Sequence, residues 1–469
     1  MQRITVILCI IIIPIAFVLA YWENTYGGVY DEYICSLAIT NQNYIMSGAT
    51  YSFSYELPDF YLIKVRSSGL ELWQRIYGYG CGYSVINADD EGYIAAGYLI
   101  FPPITDKHCY LMKTDEDGDS IWAYIYRIGN ARAASVAQTF DGGYIVAWDI
   151  PVSGEGFYLV KTDSLGDSIW TRTYADTVVH NFRSLVRTPD EGCIAVGEIH
   201  LEGHSDVSIA RIDSLGEIIW TQNYGSHGTD YACFIDTTAD GNFIITGRTS
   251  IYTTGSIVDL YLLKINPLGD TLWTRQFGGV DNIERGYCVR QTFDGGYIVV
   301  GETYSYGIGT PDSSNVYLIK TDSEGNMEWE CTYGGNGQDY GTSVSQTDDG
   351  GYIIAGVYDQ GPHTDVYLIK TDSLGNVDWI REPGRKPQEI VLNVYPNPFN
   401  DVCRITVDVG AWRAMPLQIE IFDLRGNLIE TFDKTPCVWK PDDEIGSGMY
   451  LVRATTGEKM VSKKTVLMR

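Results

Sequence analysis

Short apolar runs separated by turn residues repeat along most of the chain, with no stretch of helical period. The clearest copy is Asp349 to Arg381, where GYIIAG and DVYLIK are bounded by Asp349-Gly350-Gly351 and by Asp372-Ser373-Leu374-Gly375-Asn376. Runs of this kind read as strands joined by tight turns. One more strand precedes them at Thr342 to Thr347, and a fourth carries Trp379. Aligned on that fourth strand, Trp73, Trp122, Trp170, Trp220, Trp273, Trp329 and Trp379 recur at spacings of 49, 48, 50, 53, 56 and 50. Ahead of each lies a turn glycine, Gly69, Gly118, Gly166, Gly216, Gly269, Gly325 and Gly375, as a position of positive φ requires. One four-stranded sheet cannot bury both of its faces alone, so the copies must pack on one another. The pattern predicts an all-β chain with a seven-bladed β-propeller over residues 27–381, its first unit opening on CSLAIT and NYIMSG.

Equivalent positions carry further regularities. The third strand ends in a cation in every unit, Lys64, Lys113, Lys161, Arg211, Lys264, Lys320 and Lys370. Seven equivalents imply a structural role rather than a catalytic lysine, with turn carboxylates such as Asp163, Asp322 and Asp372 as expected partners. The seven Trp residues are expected to stack between blades. Second strands from the second unit onward read GYIAAG, GYIVAW, GCIAVG, NFIITG, GYIVVG and GYIIAG, so Trp148 alone replaces a glycine. It is either a filler or a binding residue.

The formal charge of -27 lies almost wholly in the repeats, because residues 388–469 hold 11 Asp or Glu against 10 Lys or Arg. Such acidity argues against nucleic acid or an anionic membrane as a partner, since both need basic surface. Residues 1–20 place Arg3 before an apolar run that ends in Val-Leu-Ala, the form of a secretory signal peptide cut near Ala20. A retained anchor is the alternative, the run being at the low end of spanning length. After signal removal no membrane insertion is expected. Nine of the ten cysteines lie beyond that cut. Cys233 and Cys288 are read at one strand position, where Ser84, Ser135, Ser184 and Ser343 stand in other units, and so as small buried residues. A Cys403–Cys437 disulfide is open.

Loop variation points to one face. The second-to-third and fourth-to-first connections vary, whereas the others are short and uniform. In an up-and-down blade both variable sets leave by the same side, where a scaffold carries function. The second-to-third loops are rich in Tyr, Thr, Ser, Asp and Gly, a composition suited to polar contacts around aromatic anchors. Ligand-binding candidates are Tyr51, Tyr55, Trp148, Tyr252, Tyr304, Tyr306 and Tyr358. No catalytic residue and no metal ligand is assigned. Asp115, Asp117 and Asp119 surround Gly118, which stands in the wrong place for an EF-hand. His200 and His204 lack a third ligand. His180, His227 and His363 fall on the loop face without an evident nucleophile partner. No cofactor is expected, with calcium left open.

The hairpin D-x-x-G-x-x-x-W, as in Asp163, Gly166 and Trp170, resembles the Trp-docking repeat of quinoprotein-type propellers and, with altered spacing, the Asp-box of sialidase-type propellers. Both resemblances imply fold only, because the vicinal cysteine pair of quinoprotein dehydrogenases is missing and no arginine triad is identifiable. Residues 389–469 resemble the type A C-terminal sorting domain of the bacterial type IX secretion system. That resemblance rests on Tyr395-Pro396-Asn397-Pro398-Phe399, on FDLRGNLI, on Ser447-Gly448-Met449-Tyr450 and on the terminal Lys463 and Lys464. It implies a small immunoglobulin-like β-sandwich after a linker at residues 382–388. It also implies export by Sec and the periplasm, then secretion or display on the outer cell surface, with the type IX machinery as partner. Related tails accompany flagellar-hook-capping-type modules, so a purely structural sandwich is the alternative there.

The whole reads as an exported propeller that binds a glycan, peptide or surface polymer through its variable loops. A hydrolase or lyase using loop carboxylates or histidines, or a passive surface-layer spacer, are the other readings.

Overall fold

A computed structural model of the chain describes residues 21–377, apart from 42, 54–56, 103–105, 127–131, 133, 150–155, 176–178, 202, 226–227, 251–257, 280–282, 307–312 and 360. It also describes residues 391–467, apart from 396–402, 409–416, 424, 434–436, 443–444 and 457–458. Contacts divide the chain into two compact units, Met1–Asp378 and Trp379–Arg469.

The first unit is a β-propeller of seven four-stranded antiparallel blades. Blades one and two form one continuous sheet, because the strand Glu71–Asn87 serves both. Its start pairs with Asp59–Arg66 at the outside of blade one, and its end pairs with Tyr93–Ile100 at the inside of blade two. Middle strands such as Tyr93–Ile100 and Asn315–Thr321 are buried at every residue. Each of their faces packs on another blade, which is why they read as unbroken apolar runs rather than alternating ones. Outer strands such as Ser120–Tyr126 alternate exposed and half-buried positions.

The repeated Trp and Gly meet across the blade boundaries. Trp122 packs on Gly166 of the following blade, where a Cβ would come within 2.9 Å of the indole. Glycine is required there twice over, for its φ of +84° and for its missing side chain. Asp163 fixes that turn by accepting hydrogen bonds from the N–H groups of Leu165 and Asp167, both at 2.9 Å.

Closure of the ring differs from expectation. The sequence period places Trp379 in the fourth strand of the last blade, but Trp379 lies outside the described residues, and the strand beside Thr364–Thr371 is Trp22–Tyr26. Trp22 stands opposite Lys370, as Trp329 stands opposite Lys320, and it packs on Gly69 of blade one. Tyr26 adds a hydrogen bond to the Gly69 carbonyl at 2.7 Å. The N-terminal strand thus completes the seventh blade, and the propeller starts before residue 27.

Six of the seven cations at the ends of the third strands pair with a different turn from the one expected, while Lys64 donates to the Glu116 carbonyl at 2.9 Å. Lys161 Nζ donates to both carboxylate oxygens of Asp141, at 2.9 and 2.7 Å, and to Thr139. Asp190, Asp240, Asp294 and Asp349 hold Arg211, Lys264, Lys320 and Lys370 in the same way. These carboxylates sit in the turn between the first and second strands. Asp163, Asp322 and Asp372 instead accept backbone N–H groups of the next turn. Proximity in sequence favoured the wrong turn, because the first and third strands both flank the second.

A coupled feature shapes the inner strands. In most blades the first strand bulges opposite a second-strand glycine, with register shifts at Ile34/Ser36, Gly82/Ser84, Ala232/Phe234, Gly286/Cys288 and Gly341/Ser343. The bulge drives a first-strand carbonyl against that glycine, leaving no room for a Cβ on Gly97 or Gly247. Blade three pairs regularly there, Ala134 opposite Trp148, and it alone carries a large side chain at the position. Trp148 is fully buried, its indole N–H donating to the Gly97 carbonyl at 2.7 Å, and it fills the core between blades two and three.

The second unit is a small β-sandwich. One sheet holds Val391–Tyr395, Cys403–Asp408 and Cys437–Trp439; the other holds Leu428–Phe432, Leu417–Asp423, Gly448–Thr456 and Lys459–Leu467 in that order. Their inner faces share a core that includes Ile405, Ile421, Trp439, Tyr450 and Val452. Tyr450 also donates to the Gly446 carbonyl at 2.6 Å. Lys463 and Lys464 lie exposed on the last strand, at the edge of its sheet. Cys403 lies opposite Trp439 and Cys437 opposite Ile405, so the two cysteines are diagonal neighbours.

Candidate functional site

Bulges turn side chains that a regular strand would bury toward the propeller axis, a common use of an extra residue in one strand. The bulged positions are Cys35, Tyr83, Cys233, Tyr287 and Thr342, and blade four contributes Arg183 from a wider irregularity between His180 and Ser184. All of them line a cavity of about 440 Å³ on the axis, together with Tyr231 and Tyr340. One residue on, Ser36, Ser84 and Ser135 accept the N–H groups of Val85, Val136 and Leu185 in the adjoining blade. Those serines join neighbouring inner strands. Cys288 occupies this joining position, and Phe234 occupies it in blade five, so Cys233 is not the equivalent of Cys288 but a channel residue.

The upper end of the channel, toward the variable loops, gathers charge and strain. Arg248 lies over the Tyr231 ring at 4.1 Å. Arg285 pairs with Glu302, which also accepts the Tyr287 hydroxyl at 2.9 Å. Arg183 is exposed at the rim. Burial holds the Cys233 thiol up at about 11 against the pull of Arg183, Arg248 and Arg285. Burial likewise raises the phenols of Tyr83, Tyr231, Tyr287 and Tyr340, which therefore stay neutral donors. Among the described residues Arg183 and Arg248 form no ion pair, in a chain of net charge -27. At the opposite end Arg290 is paired with Asp236 at 3.2 Å.

Blade four supplies a titratable group beside this rim. Asn181 holds a φ of +42°, a left-handed conformation uncommon outside glycine. Its amide donates to Glu198 at 2.6 Å and lies 3.3 Å from His200 Nε2. The His180 and His200 rings meet edge to face at 5.3 Å, and His180 Nδ1 accepts the His200 N–H at 3.0 Å. Next to them Asp149 accepts the Phe182 N–H at 3.2 Å. Burial pushes its carboxyl up to about 6, against Arg183 and Arg132 and with help from Glu198.

That shift predicts a measurable cost. The folded state holds the Asp149 proton more tightly than the unfolded chain, so the group's stabilising contribution is full below the ordinary value of 3.8 and is lost as pH rises through about 6. Asp149→Asn keeps an acceptor for Phe182 and removes the charge. It should raise stability at pH 8 by roughly 1–3 kcal/mol and change little at pH 4. Calorimetry at both pH values decides this, and a lower Tm at pH 8 would sink the idea.

The residues singled out from loop composition are dispersed. Tyr51 is half-buried against Tyr33, and Tyr358 packs on Tyr367 at 5.0 Å. Tyr304 donates to Gln338 at 2.8 Å, while the more exposed Tyr306 donates to the Gly278 carbonyl at 3.0 Å. Trp148 lies in the core described above. Tyr55, Tyr252 and His227 fall outside the described residues, as do residues 1–20, the linker 382–388 and Pro396, Asn397, Pro398 and Phe399. Tyr395 is placed in its strand by backbone alone. His363 meets the Tyr30 ring edge to face at 5.6 Å and lies 3.9 Å from Asp31. Asp115 accepts the N–H groups of Asp117 and Asp119 in a turn. Among the described residues no three His, Cys, Asp or Glu side chains gather to hold a metal ion.

Comparison with known proteins bears on the two units separately. Residues 393–468 match the secretion system C-terminal sorting domain, so the chain carries a type IX export tail. Comparison with curated proteins gives no match. An ulvan lyase, described as a new family of polysaccharide lyase and solved bound to -[GlcA(1-4)Rha3S]-, is similar at 9% identity with a TM-score of 0.50, over 75% of this chain and 96% of that one. The β-propeller domain of the trilobed protease from Pyrococcus furiosus is similar at 10% identity with a TM-score of 0.45, over 77% of this chain and 100% of that one. At 9% identity what the ulvan lyase shares with this chain is the fold.

Proposed function

We propose that this exported propeller is a secreted or surface-attached binding protein for an acidic polymer, a carboxylated or sulfated glycan, held at the loop-side mouth of its channel. One observation carries the reading: Arg183 and Arg248 have no ion-pair partner among the described residues, although the chain has an excess of 27 negative charges. Two guanidinium groups with no carboxylate at ion-pair distance among the described residues suit an external anion, which they can grip with paired N–H donors. Tyr231, Tyr287 and Tyr340 beside them offer flat faces and neutral hydroxyls to sugar rings.

The test is titration of the full chain with uronate-rich, sulfated and neutral polysaccharides. The ulvan lyase that shares the fold was solved with a glucuronate- and sulfate-bearing ligand, which makes that class the first to offer. Arg183→Gln or Arg248→Gln should each weaken binding roughly 10- to 100-fold, the worth of one charged hydrogen bond. Equal binding of a neutral glycan, or indifference to both substitutions, would exclude the acidic-ligand reading. No binding by a folded sample would favour a spacer.

A second reading, hydrolase or lyase, is favoured by Asp149, whose carboxyl exchanges its proton at about 6 next to His180, His200 and Glu198. General acid–base catalysis needs such a group. New chain ends in the bound polymer, abolished by Asp149→Asn while binding persists, would establish it.

A further inference from the structure

We infer that the ligand mouth continues as an open groove across the rim between blades one and two, where the exposed rings of Phe53, Tyr79 and Phe101 stack on sugars flanking the acidic one. The inference rests on the acidic-glycan reading and gives that ligand a length, an extended oligosaccharide rather than a single sugar. The course of the chain opens the rim at this boundary. Elsewhere a fourth strand ends before the next first strand begins, Tyr224 before Tyr231 and Phe277 before Glu284, and a loop joins the two. The strand Glu71–Asn87 instead runs from blade one into blade two without leaving the sheet, so this part of the rim carries no such loop. Strand register puts Tyr79 in the opening. Asp59, the first residue of the flanking strand in blade one, stands opposite Tyr79, and Leu99, near the end of the flanking strand in blade two, stands opposite Gly80. Phe53 belongs to the loop that leads into the Asp59 strand, and Phe101 directly follows Ile100, so the loops that carry them lie on either side of Tyr79.

Exposure singles out the same three rings. Phe53 is 59% exposed, Tyr79 39% and Phe101 45%. Among the described residues of the propeller the other open aromatic rings are Tyr306, tethered to the Gly278 carbonyl, and Phe140 and Phe293, in first-to-second turns at the opposite end. Exposed apolar faces gathered in one place mark a binding groove, and an aromatic ring offers a flat cover for the C–H face of a sugar. Inward from the opening the path stays aromatic. Tyr51, two residues before Phe53, meets Tyr33 edge to face at 6.4 Å, and Tyr98 meets Tyr83 of the channel wall at 5.9 Å. The His108 ring steadies Phe101 at 5.8 Å. Lys107 lies over the Tyr98 ring at 4.5 Å, so Tyr98 supports the groove and the three outer rings are the ones left open.

Calorimetric binding of the full chain to glucuronate-bearing and sulfated oligosaccharides, graded from disaccharide to octasaccharide, tests this. Affinity should rise with length. Tyr79→Ala and Phe101→Ala should each weaken octasaccharide binding roughly 3- to 10-fold, the worth of one aromatic contact, and leave the disaccharide unchanged. Arg183→Gln should weaken both lengths, and Phe293→Ala, at the opposite end, neither. All these side chains are exposed, so the variants are expected to fold, which their unchanged Tm would verify. Equal affinity at every length, an octasaccharide indifferent to both groove substitutions, or the same loss in Phe293→Ala would overturn the groove and leave the acidic mouth standing. Failure of every oligosaccharide to bind a folded sample would remove groove and mouth together.

Discussion

Trp22→Ala is expected to destabilise the propeller by about 3–5 kcal/mol, the range for truncating a buried Trp. Trp22 is 2% exposed, packs on Gly69 and near Tyr44, and donates its indole N–H to the Ser67 carbonyl at 3.0 Å. Those contacts bridge the last blade, to which the Trp22 strand belongs, and the first. Losing them leaves a cavity at the one boundary whose two sides come from opposite ends of the unit. Equilibrium denaturation of Trp22→Ala and Trp379→Ala, each against the parent chain, separates the two accounts of closure. Were Trp379→Ala the costlier change, the ring would close as the sequence period suggests and not through its N-terminal strand.

Asp349→Ala is expected to cost about 2–4 kcal/mol, somewhat below the usual range for breaking a buried pair because the carboxylate is partly solvated. It strips the Lys370 ammonium of two hydrogen bonds, at 3.0 and 2.7 Å, and leaves only the Thr371 carbonyl. Burial already lowers the Lys370 pKa despite its partner, so an unpartnered ammonium there is poorly tolerated. Adding Lys370→Met should recover most of the loss, since an apolar pair of similar volume pays no desolvation. Acid titration gives the same contact a second readout. Although burial raises Asp141, Asp294 and Asp349, hydrogen bonds from Lys161, Lys320 and Lys370 bring all three below 3.8 overall, the first two to about 2. A depressed carboxylate stabilises above its unfolded pKa and loses that contribution as pH falls through the folded one. Tm should therefore fall between pH 4 and pH 2, and fall less steeply in Asp349→Ala. An identical acid limb in both proteins would contradict the clamp.

How much of this was legible in the sequence depends on whether the signal was local. Turn glycines and Trp positions were, because each pairs a positive φ or a docking site with a fixed spacing. The closing strand was also written there, since Trp22 to Gly28 reads WENTYGG and Trp329 to Gly335 reads WECTYGG. Counting units in chain order hid it, as the last copy was credited with a strand that the first twenty-six residues supply. The channel was less legible. Bulges that aim Arg183, Cys233 and Tyr287 inward leave no mark on their own strand, and their only trace is the glycine opposite. Loop composition pointed to Tyr304 and Tyr358, which lie at the loop end of the blades but do not line the cavity. Charge partners were misassigned for a related reason, because two turns carrying Asp lie within reach in sequence and only pairing in three dimensions distinguishes them.

The N-terminal closing strand also sets an order of events. Glu23 and its partner Tyr367 are 344 positions apart, so the final seam must wait for nearly the whole unit to be made. Contacts of such separation form slowly, because the chain between them has to be ordered first. A chain that leaves its ribosome N-terminus first presents Trp22 and Tyr26 long before their blade exists, as an open sticky edge that would pair with any exposed strand. The sorting tail follows the last blade. A nascent chain that stops short of Thr371 therefore has neither a closed ring nor the sorting tail that follows it.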